Sequence, residues 1–135
     1  MQYDEFISKV AERTGVERDR ADAVVRATLA TLATRITPTE ADDLAAQLPQ
    51  ELKEPLLSGP EQPERIDPGE FVRRVAGHAE ISEDQAGNAV RAVFATLSEA
   101  VTGGEFHDIL SQLPDDYGQL VAAAPTSSAP REQSG

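Results

Sequence analysis

The sequence predicts an all-α protein, built as two tandem copies of a unit of about four helices and related by pseudo-two-fold symmetry in one compact bundle. Three observations predict it. The stretch from Phe6 to Pro49 lies on the stretch from Phe71 to Pro114 at a constant offset of 65 residues without a gap, with 17 identities over 44 positions, so each copy must build the same supersecondary unit. Alanine is frequent and the chain has only 2 Tyr and 4 Phe, which suits closely packed helices better than strands made of β-branched and aromatic side chains. Apolar residues also recur at helical spacing in both copies. A unit of about 55 residues is marginal alone, so the copies are expected to share a core rather than hang as separate beads.

The first helix runs from Tyr3 to about Arg13. Tyr3, Phe6, Ile7 and Val10 stand at i, i+3, i+4 and i+7, which gathers them on one face. Its counterpart opens with Asp67-Pro68-Gly69-Glu70, where Asp67 can cap, Pro68 fits the first helical position and Glu70 can reach back to complete a capping box. Gly15 ends the first helix, and Val16, matched by Ile81, plugs the loop that follows.

The second helix is the longest, from about Arg18 to Ile36 and from Glu83 to Val101, with Ser82 and Gln85 as a capping pair. Ala21, Val24, Val25, Thr28, Leu32 and Ile36 match Ala86, Ala89, Val90, Val93, Leu97 and Val101, with Leu29 and Phe94 widening the stripe. So broad an apolar face predicts a central helix buried on several sides. Thr37-Pro38-Thr39-Glu40 and Thr102-Gly103-Gly104-Glu105 announce the third helix, a Thr cap with Glu three positions on. Its inner face is Ala41, Leu44, Ala45 and Leu48, mirrored by Phe106, Ile109, Leu110 and Leu113. Pro49 and Pro114 end that helix and start a short fourth one, docked by Leu56, Leu57, Leu120 and Val121.

These elements divide the chain into a first repeat over 1–57, a Pro/Gly linker over 58–66, a second repeat over 67–122 and a disordered tail over 123–135. The formal net charge is −12, and neither half is basic: 7 Lys/Arg stand against 11 Asp/Glu in 1–57, and 5 against 13 in 58–135. Nucleic-acid binding draws on clustered Lys and Arg, and the one dense basic pair is Arg73-Arg74, so no nucleic-acid partner is expected. No apolar run approaches the roughly 20 residues needed to span a bilayer, and the amino end has no signal-like segment. Cysteine is absent, which removes disulfides and thiolate chemistry. The expectation is a cytoplasmic protein with no membrane partner.

Together the Tyr-x-x-Phe helix, the long Ala/Val/Leu helix with its central Arg, and the string Ala46-Gln47-Leu48-Pro49-Gln50-Glu51-Leu52 carry a likeness. The chain resembles the bacterial family called domain of unknown function 2267, over nearly all of residues 1–122. In the second copy the string is worn to Ser111-Gln112-Leu113-Pro114-Asp115-Asp116-Tyr117. The resemblance implies an all-helical cytoplasmic protein without an assigned activity, and it supplies no catalytic residues.

Six polar residues repeat as two sets: Arg26, Asp43 and Gln47 with Arg91, Asp108 and Gln112. One reading makes them two equivalent pockets in which an arginine fork holds a small anion or a peptide carboxylate. The other makes them internal ties, Arg26 to Asp43 and Arg91 to Asp108, joining the second helix to the third. His78 and His107 occupy non-equivalent positions, opposite Arg13 and Asp42, and neither lies in a metal-binding pattern, so no metal is expected. No nucleophile, base and orienter share a motif, and Gly103-Gly104 lacks the residues of a phosphate loop, so neither enzyme activity nor a cofactor is expected. Leu52, Leu56 and Leu57 crowd apolar atoms at the end of the first copy and form the candidate surface for a protein partner. The stripe Ala23, Ala27, Ala30 and Ala33 suits internal packing or a homo-oligomer seam. The reading is a non-enzymatic interaction or regulatory module; the alternative is a binding protein for a small anionic ligand at Arg26 and Arg91.

Overall fold

Side-chain caps from Thr37, Asp67, Ser82 and Thr102 set four of the helix starts. The computed structural model describes residues 1–121; the tail expected over 123–135 lies outside them. Among the described residues there are eight α-helices and no strand: α1 (Tyr3–Thr14), α2 (Arg18–Ala33), α3 (Pro38–Ala46), α4 (Glu54–Leu57), α5 (Pro68–Ala79), α6 (Glu83–Ala100), α7 (Gly103–Ser111) and α8 (Gly118–Val121). The fourth helix expected at each proline is broken in two, a 3-10 turn (Gln50–Leu52 or Asp115–Tyr117) followed by the short α4 or α8. In the first copy Pro55 lies in the opening turn of α4, where its missing N–H prevents the turn and the helix from fusing.

Two ends depart from the sequence reading. The expected capping box at the start of α5 is half made: Asp67 Oδ1 accepts from Glu70 N at 2.7 Å, but the Glu70 carboxylate turns to Arg73 and Arg74. The complete box is at α6, between Ser82 and Gln85. The other departure is α2, which stops at Ala33 instead of Ile36. Thr34 and Arg35 close it with bonds to the carbonyls three residues back, and the linker then crosses its end, Glu64 N donating to Thr34 O at 2.7 Å. A helix end leaves orphan carbonyls, and here the linker satisfies one. The crossing needs a glycine, because a Cβ on Gly59 would stand 2.6 Å from Ala33 O.

Packing runs across the copies as much as within them. α1 lies on α2 and on α6; α5 lies on α6 and on α2; α2 meets α6; α4 covers α2, α8 covers α6, and α3 meets α7. One core cluster results, with Phe6, Val25, Leu29, Leu32, Phe71, Val90, Phe94 and Leu97 all fully buried in it. At roughly 25 cal/mol per Å² of apolar area removed from water, this shared burial dominates the folding free energy. Surface ties add to it: Arg13 donates to Thr96 Oγ1 at 2.8 Å and to Glu99 Oε2 at 2.7 Å, joining α1 to α6. Partly exposed pairs of this kind contribute about 0–1 kcal/mol each. No helix among the described residues is long and apolar enough to cross a membrane.

Candidate functional site

The N-termini of α3 and α7 build the most unusual polar arrangement in the molecule. Thr37 and Thr102 cap these helices, their hydroxyls accepting from Glu40 N at 3.2 Å and Glu105 N at 3.1 Å. In a capping box the glutamate would return the favour to the threonine's own N–H. It does not. Thr37 N donates instead to Gln112 Oε1 at 2.9 Å, and Thr102 N donates to Gln47 Oε1 at 2.8 Å, so each copy's glutamine takes the amide of the other copy's cap.

Released from capping, both glutamates sit in the contact between α3 and α7. Glu40 and Glu105 are only 7% and 8% exposed, and no protein donor reaches the buried Oε2 of either. Carboxylate oxygens of Glu40, Asp43 and Glu105 lie within 4.8 Å of one another, with Asp43 exposed at the edge. Burial, then a hydrogen bond with Glu105, then the negative charges of Glu105, Asp108 and Asp43 push the Glu40 pKa up to about 8. Two carboxylates this close need a shared proton or a cation between them, because two neighbouring charges out of water repel strongly.

A second feature is a cleft of about 540 Å³ between the α1–α2 and α5–α6 turns. Val16, Val24 and Ile81 supply apolar walls, and Glu17, Asp19 and Glu80 make its border acidic. The Arg20 guanidinium is engaged there by backbone, donating to Ala79 O at 3.3 Å and Glu80 O at 3.2 Å. Val16 and Ile81, read from sequence as loop plugs, are packed against the core on one side and line this cleft on the other.

The two expected polar sets are split. Gln47, Gln112, Asp43 and Asp108 belong to the α3/α7 seam, but the arginines do not join them. Arg26 Nε donates to Asp22 at 3.0 Å, one helical turn back, and the Tyr3 hydroxyl donates to the same carboxylate, a bond that pushes the Tyr3 pKa up. Asp22 is replaced by Gly87 in the second copy, and Arg91 turns to Asn88 Oδ1 at 2.6 Å. Neither the Arg26–Asp43 nor the Arg91–Asp108 tie forms; a partner on the same helix reaches each guanidinium first. The apolar surface is also smaller than expected: Leu52 and Leu56 are 0% and 1% exposed, leaving Leu57, at 57%, as the exposed large apolar residue among those described. The dent beside Leu56 and Leu57 holds about 40 Å³, too little for a docked helix.

Glu40 and Glu105 escaped sequence reasoning because the capping-box pattern accounted for them. The available signal was their identity at matched positions, three residues before the matched Asp43 and Asp108. No curated protein matches the chain. The family model described as "Uncharacterized conserved protein (DUF2267)" matches residues 3–120, and the chain belongs to that family.

Proposed function

We propose that this DUF2267 member is a non-enzymatic interaction or regulatory module whose two repeats, paired about a pseudo-two-fold axis, present the cleft between the α1–α2 and α5–α6 turns to a basic protein segment. The cleft carries this reading: a 540 Å³ volume with apolar walls and an acidic border suits an aliphatic anchor flanked by lysine or arginine. The net charge of −12 favours the same partner by drawing it in from a distance. The paired arrangement is supported by the crossed packing of α1 on α6 and α5 on α2, and by the exchanged glutamine caps. The small-anion alternative finds less support, since Arg26 already holds Asp22.

The test is binding of fluorescent peptides of alternating Lys and Leu, measured by anisotropy with an acidic Glu/Leu peptide as control. The Lys/Leu peptide should bind, weaken with added salt, and lose about tenfold in affinity in Glu17→Lys/Asp19→Lys. Equal binding of the acidic peptide, or an unchanged affinity in that variant, would sink the proposal.

A further inference from the structure

We infer that the seam between α3 and α7 is a binding site for one hard divalent cation of Ca²⁺ size, held by the carboxylates of Glu40, Glu105 and Asp43, with Asp108 beside them. The inference is independent of the cleft. Acidic residues commonly cluster on a surface without binding anything, but two observations set this group apart. The glutamates are more than nine-tenths buried, both carboxylates belong to the cluster, and the Oε2 of each lies buried without a donor. The helix-cap amides that would ordinarily take a glutamate at this position are occupied by Gln47 and Gln112 from the opposite copy. The fold thus directs two carboxylates inward and removes their usual partners. The charges that bear most on Glu40 are those of Glu105, Asp108 and Asp43, all of them negative.

The donor set selects the ion. All the donors are oxygen, and His78 and His107 are exposed, which favours hard cations over zinc or copper. Donors on opposite sides of a Ca²⁺ ion stand about 4.6–5.2 Å apart, and those around Mg²⁺ about 4.0–4.2 Å. Three carboxylates with oxygens within 4.8 Å of one another can converge on one ion of either size, but so many charged donors on two packed helices suit the flexible, oxygen-rich shell of Ca²⁺ better than Mg²⁺, which demands a near-ideal octahedron and usually takes one or two carboxylates. The exposed edge at Asp43 lets water complete the coordination. Because each copy supplies one buried glutamate, an ion here clamps α3 to α7, and binding must stabilise the fold.

The experiment is calorimetric titration of the full chain, stripped with EDTA, with CaCl₂ and then MgCl₂, alongside thermal unfolding at each concentration. One Ca²⁺ per chain is expected, with Mg²⁺ weaker by about tenfold or more, and a thermal midpoint that climbs with Ca²⁺. The Glu40→Gln/Glu105→Gln variant keeps side-chain volume and removes the repulsion, so it should fold and lose both the heat and the shift. Asp43→Asn, at the exposed edge, should weaken binding about tenfold without altering the fold; it keeps the test sharp should the double variant unfold. Asp115→Asn/Asp116→Asn, outside the cluster, should bind as the parent does. An absence of saturable Ca²⁺ binding at millimolar concentration would mean that a shared proton alone closes the pair, and binding that survives in both glutamine and Asp43→Asn variants would place it on the general acidic surface. Either result overturns the inference.

Discussion

The two copies fill matched core positions with different chemistry. Beside the matched Phe6 and Phe71, Leu29 and Leu52 in the first copy stand where the second has Phe94 and Tyr117. In the second copy the Phe71 ring lies 6.3 Å from Phe94 and meets Tyr117 edge-on at 5.8 Å and 85°. Tyr117 also has a polar handle: its hydroxyl donates to Ile66 O at 2.7 Å, and the Arg35 guanidinium lies 5.9 Å over its ring. Leu52 fills the same place by shape alone. A repeated order of elements therefore leaves the packing free to diverge, and in this chain the divergence anchors the linker to the second copy. Aromatic pairs contribute about 0.5–1.5 kcal/mol beyond their buried area.

The largest expected effect tests that difference directly. Tyr117→Ala should lower stability by about 3–5 kcal/mol and Leu52→Ala by about 2–5 kcal/mol, with tyrosine the costlier of the two because a cavity and the broken aromatic contacts add up. Tyr117→Phe isolates the hydroxyl and should lose about 0.5–1.5 kcal/mol, leaving the Ile66 carbonyl without its donor. Urea unfolding measures all three. If Tyr117→Phe matches the parent, the linker is not held by that bond and the contrast between the copies reduces to volume.

At the α3/α7 seam the two copies instead carry the same polar residues, Thr37 and Thr102, Glu40 and Glu105, Asp43 and Asp108, Gln47 and Gln112. Glu40 has its pKa raised from 4.5 to about 8. A carboxyl whose folded pKa is raised favours the folded state while protonated, so its contribution is full below about pH 4.5 and is lost as pH rises through about 8. In EDTA, the thermal midpoint should therefore fall across that window. Glu40→Gln should remove the fall, and Glu105→Gln should reduce it, because Glu105 supplies the first of the charges that raise the Glu40 carboxyl. A slope unchanged in both variants would remove the pair as its source; a slope unchanged in Glu105→Gln alone would show that Glu105 does not raise the Glu40 carboxyl.

How much of this was legible in the sequence follows from the range of the forces involved. Helix type and most starts were readable because side-chain spacing and caps act within a few residues, as at Thr37, Thr102 and Ser82. The early end of α2 was not, because a linker 30 residues downstream of Thr34 completes it through Glu64. The seam was half legible. Asp43, Asp108, Gln47 and Gln112 were singled out by their repetition, but a Thr-x-x-Glu pattern looks the same whether the glutamate closes its own cap or a glutamine from elsewhere displaces it. The partner of Arg26 is not the repeated Asp43, because Asp22, at i−4 on the same helix, reaches the guanidinium first.

The smallest expected effect lies at one pair of matched backbone positions. Gly15 ends α1 at φ 78°, and its counterpart Glu80 ends α5 at φ 58°, the one non-glycine with positive φ among the described residues. Both amides make the same bond, Gly15 N to Ala11 O and Glu80 N to Ala76 O, so the geometry is retained while the residue suited to it is not. A side chain in the left-handed region costs about 1–2 kcal/mol, and glycine loses about 0.4–1 kcal/mol of that advantage through its freer unfolded chain. Glu80→Gly should accordingly stabilise the protein by about 0.5 kcal/mol, and Gly15→Ala should destabilise it by a similar amount. No neighbour stands within 4 Å of a Cβ at Gly15, so a steric clash with another residue would not confuse the second result. Arg20 bonds the Glu80 carbonyl rather than its side chain, so the first change leaves that tie in place. If Glu80→Gly is destabilising, the glutamate side chain contributes something at the cleft border that offsets its backbone strain, and the two helix ends have diverged in role as well as in residue.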